Sequence, residues 1–129
     1  MGVKEKAIEL HGRGYNCAQC VLKACSGFYP EVDGNVLTRA AAGFGGGVNC
    51  GQICGALSGA VMALGLACDF DENAVLKSKA AINQLTKFCI ADFENKFDSV
   101  LCSELRGGEF SCNELIAYGA ELTEKILNK

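Results

Sequence analysis

Strand-like alternation is nearly absent from this chain of 129 residues. No run of four to eight residues alternates polar and apolar side chains convincingly, and β-branched residues are sparse, which argues against a sheet-based fold. Clustered basic residues are also lacking. Lys plus Arg number 12 against 15 Asp plus Glu, for a net charge of −3. Nucleic acid is therefore not an expected partner, because phosphate contacts need grouped Lys and Arg. The first twelve residues, MGVKEKAIELHG, have no apolar stretch and do not read as a secretion signal. Lys6 stands where a myristoylation signal needs Ser or Thr, so no lipid anchor is expected. No Pro- or Ser-rich linker divides the chain, so residues 1–129 are expected to form one domain.

Long hydrophobic runs are missing as well. Ala40 to Cys68 carries no charge, but its first half is rich in glycine. The continuous apolar part, Ile53 to Cys68, is shorter than the roughly 20 residues that cross a bilayer core. It reads as a buried helix, and membrane insertion is not expected.

What the chain does have is apolar mass, 50 % of its residues, spaced for helices. Helices are expected near 3–12, 17–26 and 33–42, with stops at Gly12, Gly27 and the Gly43–Gly47 loop. Further helices are expected near 50–67, 72–96, 99–106 and 112–127. Ile82, Leu85, Cys89 and Phe93 share one face of the long fifth segment. Leu115, Leu122 and Ile126 share one face of the last. Asp69, Asp71 and Glu72 read as caps for the fifth segment. The fold class is an all-α, single-domain bundle of about six to seven helices. In the apolar segment Gly55, Gly59 and Ala63 recur every four residues. Each glycine costs a helix about 1 kcal/mol, so the stripe implies close helix packing or access to Cys54.

Nine cysteines are the informative excess. Their number is odd, and the core does not need disulfide staples, so a reducing cytoplasmic setting is expected. Asn16-Cys17-Ala18-Gln19, Asn49-Cys50-Gly51-Gln52 and Ser111-Cys112-Asn113-Glu114 each read as an N-cap followed by a cysteine in the first helical position. Cys102 reads as part of a first turn after Asp98 or Ser99. The positive end of a helix favours a thiolate, lowering a thiol pKa from about 8.5 to roughly 3.5–7.5. The first two segments also match as G-x-N-C-x-Q, through either duplication or good capping. Cys25, Cys68 and Cys89 read as core residues, and Cys20 as core or a resolving thiol. The lone histidine, His11, reads as a solvated partner of a helix C-terminus.

Standard cysteine spacings fit poorly. Cys17, Cys20 and Cys25 match no ferredoxin run. The pairs Cys17/Cys20 and Cys50/Cys54 lie in helical patterns and not in the tight turns of structural zinc sites. No βαβ context supports a thioredoxin-type motif, and the glycine loop lacks the Lys-Ser/Thr of a phosphate-binding loop.

Five segments together resemble the redox-active protein family C_GCAxxG_C_C. They are Gly14-Tyr15-Asn16-Cys17-Ala18-Gln19, Gly43-Phe44-Gly45-Gly46-Gly47, Cys54-Gly55-Ala56-Leu57-Ser58-Gly59-Ala60 with Met62-Ala63-Leu64-Gly65-Leu66, Cys102-Ser103-Glu104-Leu105-Arg106-Gly107, and Cys112. The resemblance covers about residues 5–125. It implies a shared set of Cys17, Cys54, Cys102 and Cys112, with Cys50 as a spare thiol nearby. A similar module occurs in split-Soret cytochrome c, which implies an iron–sulfur cluster; without C-x-x-C-H no covalent haem is expected.

Three readings stand at this point. In the first, the four shared cysteines bind an iron–sulfur cluster or other metal centre and pass electrons to a redox partner protein. In the second they are redox thiols without a metal, Cys17 or Cys112 attacking. In the third the cysteines fill the core of a binding or scaffold module. Self-association as a homodimer is compatible with each.

Overall fold

The computed structural model describes residues 2–128. Among them seven α-helices follow one another: α1 (Val3–Gly12), α2 (Cys17–Ala24), α3 (Gly34–Ala40), α4 (Gly55–Ala67), α5 (Val75–Phe97), α6 (Cys102–Leu105) and α7 (Cys112–Leu127). The described residues contain no strand, only one antiparallel bridge between Ile53 and Leu101. The chain is all-α, as its periodicity implies. No helix among the described residues is long and apolar enough to cross a membrane.

The core forms where α4 lies between α2 and α7, with α1 closing over α2 and α7. Val21, Leu22, Leu57, Leu64, Ile116 and Ala120 are buried there, each large apolar side chain contributing about 1.5–3 kcal/mol. Glycines set the spacing. A Cβ at Gly59 would lie 2.7 Å from the Ala18 carbonyl oxygen, and one at Gly119 would lie 2.8 Å from that of Ala56. Gly59 of the small-residue stripe thus lets α2 pack on α4 backbone to backbone, and Gly119 of α7 does the same for α7 on α4. Tyr29, just past α2, is fully buried and donates its hydroxyl to the Leu22 carbonyl.

The long α5 adheres by its second half. Cys89, Phe93 and Phe97 are buried, whereas Ile82 and Leu85 are half-buried and Leu76 is 82 % exposed. Phe97 stacks edge-on against Phe110 and Tyr118, with centroids at 4.8 and 5.2 Å. Tyr118 also hydrogen-bonds Asp92, fastening α5 to α7.

Three helix starts differ from expectation. The sixth helix begins at Cys102 and not near 99, with Leu101 and neither Asp98 nor Ser99 at its N-cap; Asp98 instead ends α5 in the left-handed region. The fifth helix starts at Val75 with no side-chain cap. Asp71 instead turns the preceding loop, its Oδ1 accepting the Asn73 N–H (2.9 Å). The fourth helix starts at Gly55, five residues beyond its expected start at residue 50. Gly46, Gly47, Val48 and Asn49 run consecutively in the left-handed region, with φ of 64°, 64°, 59° and 56°. A right-handed helix cannot pass through them. The wide turn is closed by the Gln52 N–H on the Gly47 carbonyl (3.0 Å).

Candidate functional site

Each of the four expected site cysteines, Cys17, Cys54, Cys102 and Cys112, sits at the N-terminal end of a helix. Cys17 opens α2 behind a reciprocal cap. The Asn16 side chain accepts the Gln19 N–H (2.8 Å), and the Gln19 side chain accepts the Asn16 N–H (3.0 Å). Asn16 Nδ2 also donates to the carbonyls of Ala41 (3.2 Å) and Ala42 (3.1 Å), tying the start of α2 to the chain beyond α3. Cys112 opens α7 behind a second such cap, in which Ser111 Oγ accepts the Glu114 N–H (3.2 Å).

Cys54 and Cys102 are placed by a different device. The Cys54 N–H donates to the Val100 carbonyl (2.8 Å) and the Cys102 N–H donates to the Gln52 carbonyl (2.6 Å). Ile53 and Leu101 face each other between these bonds. In such an antiparallel clasp, alternate residues point the same way. Cys54 and Cys102 therefore share one face as diagonal neighbours, a relationship that spans about 7–8 Å in regular sheet. Cys54 then becomes the N-cap of α4, and Cys102 the first residue of α6.

All four cysteines line one cavity of about 400 Å³. His11, Asn16, Asn49, Arg106 and the small residues Ala42, Gly45, Gly46 and Gly55 complete much of its wall. A Cβ at Gly55 would lie 3.0 Å from Cys17 Cβ, so that glycine brings the α4 start against the α2 start.

The electrostatics reverse one expectation. A helix N-terminus favours a lowered thiol pKa, yet the Cys17 thiol is pushed up to about 12. Burial is the largest cause, followed by the neighbouring charges of Cys54, Cys112, Cys20 and Cys102 if ionised. The Cys54 thiol is also raised, again mainly by burial, while the N–H groups of Ala56 and Leu57 pull it down and Cys102 and Cys112 push it up. Desolvation exceeds the helix field because the thiolate loses water on most sides.

The remaining cysteines do not line this cavity. Cys50 is exposed and donates its thiol to the Gly47 carbonyl (3.4 Å). The expected Asn49 cap is absent. Asn49 is left-handed, and the fourth helix begins only at Gly55, too far along the chain for Asn49 to cap it. Its Nδ2 instead donates to the Gly43 carbonyl (3.3 Å). The two G-x-N-C-x-Q segments therefore adopt different conformations. Cys20, Cys25 and Cys89 are fully buried, while Cys68, expected in the core, is half-buried at the end of α4.

Two lining residues carry no local sequence signal. His11 is drawn to the cavity by Asn113, whose Oδ1 accepts the Nδ1–H (2.7 Å) across 102 residues of chain. Arg106 reaches the cavity from the end of α6, its backbone N–H donating to the Cys102 carbonyl (2.8 Å).

Among the described residues no three His, Cys, Asp or Glu side chains gather closely enough to hold one metal ion. A single tetrahedral ion with metal–sulfur bonds of about 2.3 Å needs its sulfurs within about 4 Å of one another. Four thiols around a roomy cavity match by donor type the thiolate set of an iron–sulfur cluster, which spreads its ligands over several atoms.

Fold and site together define a small all-α protein with a cysteine-lined cavity. The family model described as "Putative redox-active protein (C_GCAxxG_C_C)" matches residues 15–126, and the chain belongs to that family. The matched segment contains all nine cysteines and leaves out His11. No curated protein and no solved structure matches the chain significantly.

Proposed function

We propose that this protein transfers electrons to a redox partner protein through an iron–sulfur cluster held by Cys17, Cys54, Cys102 and Cys112. The observation that carries this reading is the meeting of four thiols, from four helix N-termini, at one cavity of about 400 Å³. When bound, such a cluster supplies one-electron chemistry. The chain's own residues would hold it and tune it. Four helix starts offset the negative charge of the thiolates. The N–H groups of Ala56 and Leu57 favour ionised Cys54, and Leu105 and Leu115 line the cavity as apolar wall. Because the ligands must lose protons, iron binding is expected to strengthen as pH rises.

The test is anaerobic reconstitution with iron and sulfide, followed by metal and sulfide analysis and a visible spectrum. A charge-transfer spectrum that Cys54→Ser abolishes supports the reading. A colourless protein with no bound iron overturns it.

The partial exposure of Cys17, Cys102 and Cys112 favours a second reading, thiol–disulfide exchange. Two thiols would form one disulfide, giving two electrons and two protons to a partner disulfide. A reversible intramolecular disulfide in the metal-free protein, mapped by mass spectrometry, is its expected signature.

A further inference from the structure

We propose that the cavity also binds a small oxyanion, held by Arg106 at the Gly45–Gly46 rim beside Cys102. Among the described residues Arg106 is the one Lys or Arg in the cavity wall, and no Asp or Glu lines it. Its guanidinium has no ion pair and no hydrogen bond among the described residues. The nearest carboxylate in sequence, Glu104, is taken by the Ser99 hydroxyl. The cation is therefore uncommitted, yet its backbone is anchored to Cys102 (2.8 Å).

The rim beside it is bare backbone at Gly46 and a methyl group at Ala42, while Gly45 packs against Asn16, whose Cβ would lie 2.6 Å from a Cβ placed there. A Cβ at Gly46 would lie 4.0 Å from Arg106 Nη1, so the guanidinium passes close to bare backbone. A cavity of about 400 Å³ lies in the size range of small-molecule sites, about 300–1,000 Å³. A planar guanidinium presents paired donors that match a carboxylate or a phosphate group. The oxyanion would sit with its charge on Arg106 and the rest of the molecule toward Cys102. The inference needs the cavity and not the iron, so it is tested on metal-free, reduced protein.

Two thiol reagents of similar size isolate the effect. Iodoacetate carries a carboxylate and iodoacetamide does not, while thiolate reactivity enters both rates equally. The iodoacetate-to-iodoacetamide rate ratio at Cys102, read by peptide mass spectrometry, is expected to fall about tenfold in Arg106→Gln. The ratio at Cys50, which lies outside the cavity wall, is expected to stay constant. Amide ¹⁵N shifts of Gly45, Gly46 and Arg106 provide the direct readout. Sodium acetate and sodium phosphate are titrated against sodium chloride at equal ionic strength. Shifts with both, lost in Arg106→Gln, support a general oxyanion site; shifts with one alone support it and name the carboxylate or phosphate source. No shift beyond that of chloride, or a Cys102 ratio unchanged by Arg106→Gln, overturns the proposal. Arg106→Lys, which keeps the charge without the fork, is expected to fall between. Persistence of anion binding in a protein that fails to take up iron would sink the cluster reading alone.

Discussion

Cys102 donates its backbone N–H to the carbonyl oxygen of Gln52 at 2.6 Å, and this bond registers two distant parts of the chain. With the matching bond from Cys54 to Val100 (2.8 Å), it sets two thiols on one face of a short clasp. The left-handed turn before it reverses the chain so that Gln52 can meet Cys102.

Gly47 is the tightest point of that turn. At φ +64°, a Cβ there would fall 2.4 Å from the Gln52 nitrogen and 2.9 Å from Cys102 Cβ. Gly47→Ala is expected to open the clasp and lower stability by about 1–3 kcal/mol. Denaturant unfolding measures the loss, and faster alkylation of Cys54, now 3 % exposed, reports the opening.

Val48 is strained where it stands. Its φ of 59° is left-handed, a conformation β-branched residues disfavour, and its side chain is 49 % exposed. Val48→Gly is expected to raise stability by about 1 kcal/mol. A lowered denaturation midpoint would show that the valine side chain holds the turn through packing.

The helix crossings predict a contrast between two glycines of α4. Gly59→Ala would press its methyl against the Ala18 carbonyl at 2.7 Å, whereas nothing lies within 4 Å of a Cβ at Gly65. The first substitution is expected to cost about 1–3 kcal/mol. The second is expected to stabilise by up to about 1 kcal/mol through helix propensity. Paired urea titrations decide it.

Buried thiols make the fold sensitive to alkali. Burial pushes Cys20 and Cys89 up to about 11 and Cys25 up to about 12. A raised pKa means the folded state holds its proton more tightly. The associated stability is therefore complete below the ordinary thiol pKa of 9.0 and is lost as pH rises towards about 11 to 12. Each thiol contributes a slope of at most about 1.4 kcal/mol per pH unit. Cys25→Ala is expected to flatten the pH dependence between pH 9 and 11, measured by unfolding under reducing conditions.

Cys50 and the cavity cysteines should separate in reconstitution. Cys50→Ser is expected to keep its iron and its spectrum, since Cys50 is outside the cavity wall. Cys17→Ser is expected to lose most of the bound iron. Equal losses would place Cys50 at the centre.

Helix positions were legible because apolar spacing and caps act locally. α1 and α7 have the expected limits, 3–12 and 112–127, and the caps at Asn16 and Ser111 form as their residue types imply. The start of α4 was not legible. Asn49-Cys50-Gly51-Gln52 has the chemistry of a cap, but the clasp with Val100 and Cys102 commits that backbone to another path. The cysteine set was readable through family resemblance, whereas His11 and Arg106 reach the cavity only through folding.

By itself, then, the order of amino acids determined an all-helical chain, most of its helix ends and that Cys17 and Cys112 head two of them, because those depend on neighbours a few residues away. Only the tertiary structure decided that thiols from four helices face one cavity beside Arg106, and that burial raises the Cys17 and Cys54 pKa values against the helix field. Both depend on which distant surfaces exclude water from each sulfur, and that is a property of the packed chain.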